Sequence, residues 1–162
     1  MVKLHIVLLE PEIPQNTGNI GRICKAMNAV LHLIEPLGFS IEDKYLKRAG
    51  MDYWKDLDVN YYKNLAEFLV KNPEGQKVFL SQKAAHSCDT FCYSSEVYLV
   101  FGKESTGLPE NLLKEQTDSC VRIPMTKGTR SLNIANAVAI LCYEVMRQNN
   151  FEGLKTSGTI PA

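Results

Sequence analysis

The stretch that decides the fold is residues 97–136, which read VYLVFGKESTGLPENLLKEQTDSCVRIPMTKGTRSLNIAN. Two short apolar runs, 97–101 and 121–125, each lead into a loop marked by glycine or proline, and a segment of helical period begins at Ser131. Such runs are typical of buried strands, and the loops after parallel strands meet at one edge of a sheet. Ligands of open α/β sheets bind at that edge, so the stretch predicts a ligand site there.

The two loops carry glycines and small polar side chains. Gly102 and Gly107 let the backbone approach a ligand closely, and the free N–H and C=O groups of such loops suit a flat polar ring such as adenine. Ser131, Asn133 and Asn136 add small polar groups. The residues alone are equally compatible with ordinary turn glycines and a serine that caps a helix.

The N-terminal part has the order strand, helix, strand. We predict strands over 3–9 and 30–34, joined by a loop over 10–18 and a helix over 18–28 that Asn16 or Thr17 caps. This spacing is typical of a right-handed parallel unit. Further strands are predicted over 59–62 and 78–81, and further helices over 41–49, 65–71 and 132–148. The fold class is therefore α/β, with a mostly parallel sheet flanked by helices.

Composition places the chain among ordinary globular proteins. It has 162 residues, of which 45% are hydrophobic and 22% charged, and no apolar run approaches the ~18 residues of a membrane span. We expect one domain over 1–155, a flexible tail over 156–162 and no membrane association. Five cysteines without regular spacing favour reduced thiols and a cytoplasmic location. The net charge is zero, so any nucleic-acid partner requires a local basic patch or one assembled across a dimer.

Two side-chain groups invite a functional interpretation. His86, Cys88 and Cys92 suggest a metal site, but only three candidate ligands cluster, so we favour a loop with free thiols and expect no metal. The second group is a basic and aromatic patch that could hold RNA phosphates and bases. It consists of Lys44, Lys47, Arg48, Tyr53 and Trp54. Its simpler explanation is a solvated helix end beside packed aromatic rings.

Three separated motifs resemble those of the SPOUT RNA methyltransferases, in the order that this family has. The first is NTGNIGR at 16–22, the second FGKESTGL at 101–108, and the third comprises IPM at 123–125 and SLN at 131–133. With EPEIP at 10–14 and IEPLGF at 34–39, the chain most resembles the small tRNA (cytidine/uridine-34)-2′-O-methyltransferases over residues 3–153.

The resemblance implies both a fold and an activity. The fold would contain a deep C-terminal trefoil knot, and the protein would be a homodimer. The activity would be methyl transfer from S-adenosylmethionine, without a metal, to the ribose 2′-hydroxyl of the wobble nucleotide in a tRNA anticodon stem-loop. By motif position, the residues expected to bind the cofactor are Leu80, Gly102, Ile123 and Ser131, with Met125 and Leu132 as weaker candidates.

Four further residues are expected in catalysis by the same comparison, namely Arg22, Asn16, Glu104 and Asn133. Arg22 matches the arginine that the family places at the reacting hydroxyl. A guanidinium stays protonated, so we interpret Arg22 as an electrostatic clamp on the ribose oxygen or its phosphate rather than as a base. Asn16, Glu104 and Asn133 would orient loops and substrate. Without the motifs, Arg22 reads as a surface arginine and the other three as turn-forming residues.

Other function classes leave weaker signals. The chain lacks the glycine patterns of dinucleotide-binding and P-loop enzymes. A non-catalytic RNA-binding factor on the same fold is disfavoured by the intact motif residues. A methyltransferase that acts on another tRNA position or on ribosomal RNA stays open as an alternative.

Overall fold

The computed structural model describes residues 1–42, 44, 48 and 54–161. Within these residues, seven strands form one sheet: β1 (Lys3–Leu9), β2 (Val30–Ile34), β3 (Val59–Tyr62), β4 (Gln76–Leu80), β5 (His86–Ser87), β6 (Glu96–Phe101) and β7 (Cys120–Arg122). The same part of the chain contains four α-helices, α1 (Pro14–Met27), α2 (Leu65–Lys71), α3 (Glu110–Glu115) and α4 (Ile134–Gln148), and a 3₁₀ turn over Thr117–Ser119.

Every strand pairing in the sheet is parallel, and the strand order is β3-β2-β1-β6-β4-β7-β5. β1 lies between β2 and β6, with His5 opposite Val30 on one side and opposite Tyr98 on the other. The chain therefore builds the sheet outward from β1 in one direction and later returns to its other side. The predicted α/β class with a mostly parallel, helix-flanked sheet is confirmed.

Helices cover both faces of the sheet. On one face, α1 and α4 bury Ile20, Cys24, Val138 and Leu141 against the strands. On the other face, Phe68 of α2 and Leu112 of α3 belong to a second apolar cluster. Because both faces are covered, the central strands are apolar almost throughout, which is typical of parallel sheets.

Helix α1 begins at Pro14, four residues before the predicted beginning at Gly18. Pro14 fits the first helical position because its fixed φ suits the helix and its missing N–H is not needed there. The prediction that Asn16 or Thr17 caps this helix was wrong, since both residues lie inside the first turn and are buried. The side chain of Asn16 is thereby available for other contacts.

Helix α4 begins at Ile134 rather than at residue 132, and its N-cap is Asn133. The Asn133 Oδ1 atom accepts a hydrogen bond from the backbone N–H of Ala135 at 2.9 Å, which satisfies one of the unpaired donors at the helix beginning. Ser131 therefore precedes the cap and does not form it.

The segment around His86 differs from the predicted loop. His86–Ser87 forms the short edge strand β5, with His86 opposite Val121 of β7. Cys88 is buried and Cys92 is exposed. Among the described residues, no three His, Cys, Asp or Glu side chains are grouped to hold a metal ion. In the same residues no helix is long and apolar enough to cross a bilayer.

Part of the predicted basic and aromatic patch lies outside the described residues, including Lys47, Tyr53 and most of the 41–49 helix. Trp54 is half-buried and packs beside α1, where a Cβ on Gly21 would lie 3.3 Å from its ring. This position favours a packing role for Trp54. Residues 156–161 are exposed and form no helix or strand. The domain boundary at residue 155 stays a prediction.

Candidate active site

A cavity of about 580 Å³ lies at the carboxyl edge of the sheet, between the loops that follow β4, β6 and β7 and the first turns of α1 and α4. It brings together all four residues predicted to bind a cofactor, Leu80, Gly102, Ile123 and Ser131, and the two weaker candidates Met125 and Leu132. Three of the four residues expected in catalysis also line it, namely Asn16, Glu104 and Asn133. Seven of the eight main candidates therefore surround one space, although they come from five segments of the chain.

The loop after β6 folds tightly on itself at Gly102. A Cβ atom at this position would lie 2.1 Å from the carbonyl carbon of Gly107 and 2.2 Å from the backbone nitrogen of Leu108. The turn is closed by a hydrogen bond of 2.8 Å from the Gly107 N–H to the Lys103 carbonyl. Gly107 itself has a φ of 71°, which favours glycine. Gly102 is thus required by the loop's own backbone, and not only by a ligand as the sequence suggested.

Glu104 joins this loop to the segment that precedes α1. Its carboxylate accepts hydrogen bonds from the backbone N–H of Glu12 at 2.8 Å and of Ile13 at 3.1 Å. It also accepts one from the Asn16 side-chain amide at 3.2 Å. Three donors converge on one carboxylate, so Glu104 fixes the position of the first turn of α1 relative to the cavity.

Asn16 extends this chain of hydrogen bonds to α4. Its Oδ1 atom accepts a hydrogen bond of 2.9 Å from Asn133 Nδ2. Since Asn133 also caps α4, a continuous series of side-chain contacts runs from the loop after β6, through α1, to the beginning of α4. The role of Asn16, Glu104 and Asn133 in orienting loops and substrate stays a prediction.

Further hydrogen bonds join the same two segments, with the acceptor now on the segment before α1 and the donors on the loop after β6. The Glu12 carboxylate accepts hydrogen bonds from the backbone N–H of Ser105 at 2.9 Å and from its hydroxyl at 2.8 Å. These two bonds lower the pKa of Glu12 below its ordinary value. Beside them, Lys103 forms an ion pair of 3.1 Å with Glu10. Residues 10–13 and 103–105 thus hold each other by reciprocal contacts.

Arg22 does not line the cavity. It is exposed on α1, six residues beyond Asn16, which corresponds to about 9 Å along the helix axis. Within one chain the structure therefore separates the expected electrostatic clamp from the other candidate residues.

The rim of the cavity carries an ion pair that the sequence did not indicate. Lys83, from the loop after β4, pairs with Glu110 at the beginning of α3, and both residues line the cavity. Their side chains are 69% and 68% exposed, so the pair is solvated and can open at little cost.

Residues 3–143 match the SpoU rRNA methylase family. The chain belongs to this family. A protein of Geobacillus stearothermophilus named as a tRNA (cytidine(34)-2′-O)-methyltransferase is 48% identical over 154 residues, which cover 93% of this chain and 98% of that one. The resemblance to SPOUT RNA methyltransferases that the motifs indicated is confirmed.

Two solved structures that are similar in sequence share the fold. A structure described for the 2-OH methylation of C/U34 on tRNA superposes with a TM-score of 0.88 at 40% identity, over 93% of this chain and 99% of that one. An AdoMet-bound rRNA methyltransferase from Sinorhizobium meliloti superposes with a TM-score of 0.80 at 26% identity, over 90% of this chain and 56% of that one.

Sequence reasoning missed three contributors to this SpoU site, namely Glu12, Ser105 and the Lys83–Glu110 pair. Glu12 lies in the EPEIP segment and Ser105 inside the second motif, so both stood within stretches already singled out. Their pairing spans 93 residues, and no local pattern reports a contact at that distance. Lys83 and Glu110 belong to no recognised motif.

Proposed function

We propose that this SpoU methylase transfers a methyl group from S-adenosylmethionine to the ribose 2′-hydroxyl of nucleotide 34 in a tRNA anticodon loop. The observation that carries the proposal is the near full-length identity of 48% to a relative named for that reaction. The seven candidate residues that line one cavity supply the independent structural support.

The cavity suits S-adenosylmethionine in size and in chemistry. Leu80 and Ile123 supply apolar surface, and the loops after β6 and β7 supply backbone donors and acceptors for an adenine ring. At the rim, Lys83 and Glu110 present one charge of each sign, which matches the carboxylate and ammonium of the methionine part. When bound, the sulfonium supplies an activated methyl group.

The protein's own residues then position the reactants and stabilise charge. The Glu104–Asn16–Asn133 series holds the beginnings of α1 and α4 at the cavity, so the reacting groups meet in a fixed orientation. Arg22 stabilises the developing alkoxide of the ribose, because a preorganised cation acts strongly on charge that appears in the transition state.

A homodimer would explain the position of Arg22. Because Arg22 lies outside the lining of its own chain's cavity, we infer that a second copy supplies it. On α4, Ile140 is 41% exposed and Tyr143 56% exposed, and these side chains offer apolar surface for such a contact.

The dimer is tested by its mass and by complementation between variants. Sedimentation should give about twice the 18.2 kDa chain mass. Mixing an Arg22→Ala chain with a Glu104→Ala chain should restore part of the activity, whereas a monomeric active enzyme would contradict the dimer.

The substrate is tested by mapping. tRNA from a strain that lacks the gene is incubated with the protein and S-adenosylmethionine, and the new 2′-O-methyl mark is located. A mark at nucleotide 34 supports the proposal. A mark elsewhere in tRNA, or only in ribosomal RNA, rejects the wobble assignment and keeps the reaction class.

Two further properties belong to the same proposal. We infer that the chain through the third motif forms the deep trefoil knot of the SPOUT enzymes, which would bring the loop after β7 beside the loop after β6 as the shared cavity requires. We also infer a cytoplasmic location, where tRNA is modified and where the five thiols would stay reduced.

A further inference from the structure

The acidic residues of this net-neutral chain are unevenly distributed. The segments 13–34 and 119–143 contain none of the eighteen acidic residues but hold five of the eighteen basic ones. These five are Arg22, Lys25, Arg122, Lys127 and Arg130. The two segments therefore carry a net positive charge because they lack acidic residues, whereas the remainder of the chain holds eighteen acidic and thirteen basic residues and carries an excess of negative charge.

The fold places these two segments side by side. Their helices, α1 and α4, bury side chains in the same apolar cluster, with Ile20 and Cys24 beside Val138 and Leu141. Asn16 and Asn133 join them by a hydrogen bond at the cavity. The segments that lack acidic residues thus form one continuous region that borders the cavity, whose lining elsewhere includes Glu104 and Glu110.

Lys127 and Arg130 lie on a turn directly beside this mouth. The turn is closed by Thr129, whose N–H and hydroxyl both bond the Thr126 carbonyl, at 3.3 Å and 2.7 Å, and Gly128 has a φ of 82°. The two cavity-lining residues Met125 and Ser131 flank it in the chain. The turn is therefore anchored at both ends to the cavity wall.

The two cations on this turn differ in their ion pairing from the lysines elsewhere around the cavity. Lys83 pairs with Glu110 and Lys103 with Glu10, whereas Lys127 and Arg130 are exposed and form no salt bridge with any residue in the described part of the chain. Cations without a protein partner can exchange their counterions for RNA phosphates without first breaking an ion pair.

We propose that the turn over 126–130 is an RNA phosphate clamp, in which Lys127 and Arg130 hold the backbone of the RNA that enters the cavity. This inference rests on the proposed function, and it names the surface by which a chain of zero net charge attracts a polyanion. The contacts are to phosphate, so they position the target ribose and carry no base specificity. The surface differs from the Lys44, Lys47 and Arg48 patch that the sequence suggested.

The salt dependence of RNA binding tests the clamp. The dissociation constant of a tRNA transcript is measured from about 50 to 200 mM KCl for the wild type and for the double variant Lys127→Gln, Arg130→Gln. Each lost phosphate contact should reduce the slope of log K against log salt by about 0.7–0.9. The matched control is Lys3→Gln, an exposed lysine at the amino end of the central strand β1, opposite the carboxyl ends of the strands where the cavity lies, and this variant should keep the wild-type slope.

Two additional measurements make each outcome decisive. S-adenosylhomocysteine binding should be unchanged in the double variant, which shows that the cavity is intact, and the Lys127→Arg, Arg130→Lys variant should keep the wild-type slope. A double variant that binds cofactor normally and shows the slope of Lys3→Gln overturns the clamp. A wild-type protein that binds cofactor but no tRNA overturns the proposed substrate instead. If the double variant loses cofactor binding, the single variant Lys127→Gln, in the middle of the exposed turn, replaces it in the salt titration. Its slope of log K against log salt should fall by the amount expected for one phosphate contact, and an unchanged slope overturns the clamp.

Discussion

Asn133 donates a hydrogen bond of 2.9 Å from its Nδ2 atom to Asn16 Oδ1, a residue 117 positions away in the sequence. The contact joins the N-cap of α4 to the first turn of α1, and Asn16 in turn donates to Glu104. The beginnings of two helices and the loop after β6 are therefore held by one series of side chains. Damage to any member should be transmitted to the cavity that all three line.

Replacement of Asn133 separates its two contacts. Asn133→Ala removes both the helix cap and the donor to Asn16, and should lower the free energy of unfolding by about 1–2 kcal/mol. Asn133→Asp keeps a capping oxygen but cannot donate to Asn16, so it should retain most of the stability and lose methyl transfer. Urea unfolding and a tRNA methylation assay measure the two effects. Equal stability loss in both variants would show that the cap is not the stabilising contact.

The two glycines of the loop after β6 should respond differently to alanine. In Gly102→Ala the new Cβ would overlap the Gly107–Leu108 backbone, so the loop must open and cofactor binding should be lost. At Gly107 a Cβ meets no atom within 4 Å, and only the positive φ is unfavourable, at a cost of about 1–2 kcal/mol. Calorimetry with S-adenosylhomocysteine should therefore detect binding in Gly107→Ala but not in Gly102→Ala. Normal binding by a folded Gly102→Ala protein would contradict the described loop.

Replacement of Arg22 should change the rate of methyl transfer but not the affinity for the cofactor. Arg22→Ala removes one electrostatic donor from the transition state, which typically lowers the rate about 10²–10³-fold. S-adenosylhomocysteine affinity should be unchanged, because the proposed role of Arg22 is at the ribose hydroxyl and not at the cofactor. Lys25→Ala, an exposed cation on the same helix, is the control and should keep most of the rate. A fully active Arg22→Ala enzyme would remove Arg22 from the mechanism.

Loss of the Lys83–Glu110 pair should change the affinity for S-adenosylhomocysteine but not that for methylthioadenosine, which has the adenosine part without the amino acid part. Lys83→Met should weaken S-adenosylhomocysteine binding about tenfold, equivalent to 1.4 kcal/mol, because the carboxylate of the amino acid part loses a cation. Methylthioadenosine lacks the amino acid part, so its affinity should be the same in wild type and variant. Equal weakening of both ligands would indicate that the pair only shapes the rim.

Two histidines beneath the second apolar cluster should make stability depend on pH. His32 bonds His5 at 2.9 Å through Nε2 and Tyr62 at 2.8 Å through Nδ1, and burial lowers the pKa of His32 to about 3. Burial also lowers the pKa of His5. The two histidines take up protons below about pH 6.5 in the unfolded chain and only at lower pH in the folded chain, so stability is full above about pH 6.5 and falls as the pH decreases.

The loss contributed by His32 should approach about 1.4 kcal/mol per pH unit as the pH falls below 6.5, and His5 should add to the loss in the same direction. Urea unfolding between about pH 6.5 and 5 largely separates this effect from that of the carboxylates, because the ordinary pKa of a glutamate such as Glu12, 4.5, lies below this range. His32→Gln should reduce the pH dependence relative to the wild type. A stability that does not change over this range would contradict a neutral histidine pair.

Local sequence patterns were sufficient to predict several strands and one helix. The predicted bounds of β1, β2, β3 and α2 agree with the structure, because apolar strands and a clear helical period identify themselves. The composition of the cavity lining was predicted through the motifs, and Leu80, Gly102, Ile123 and Ser131 do surround one space.

The beginning of α1 could not be predicted in the same way. Residues 14–18 read PQNTG, which locally favours a turn, yet they are helical. Glu104 supports this conformation from 88 to 92 positions away, by bonds to Asn16 and to the backbone of Glu12 and Ile13. Such support depends on tertiary structure and leaves no trace in the local pattern.

The position of β6 also has a consequence for synthesis on the ribosome. β6 lies between β1 and β4, although both precede it in the chain. Until Phe101 has emerged, each of those strands presents an unpaired edge to solvent, and such edges are templates for aggregation. β1 and β4 therefore cannot join in one sheet until β6 has been translated. Nascent fragments that end before Glu96 are expected to need chaperone protection.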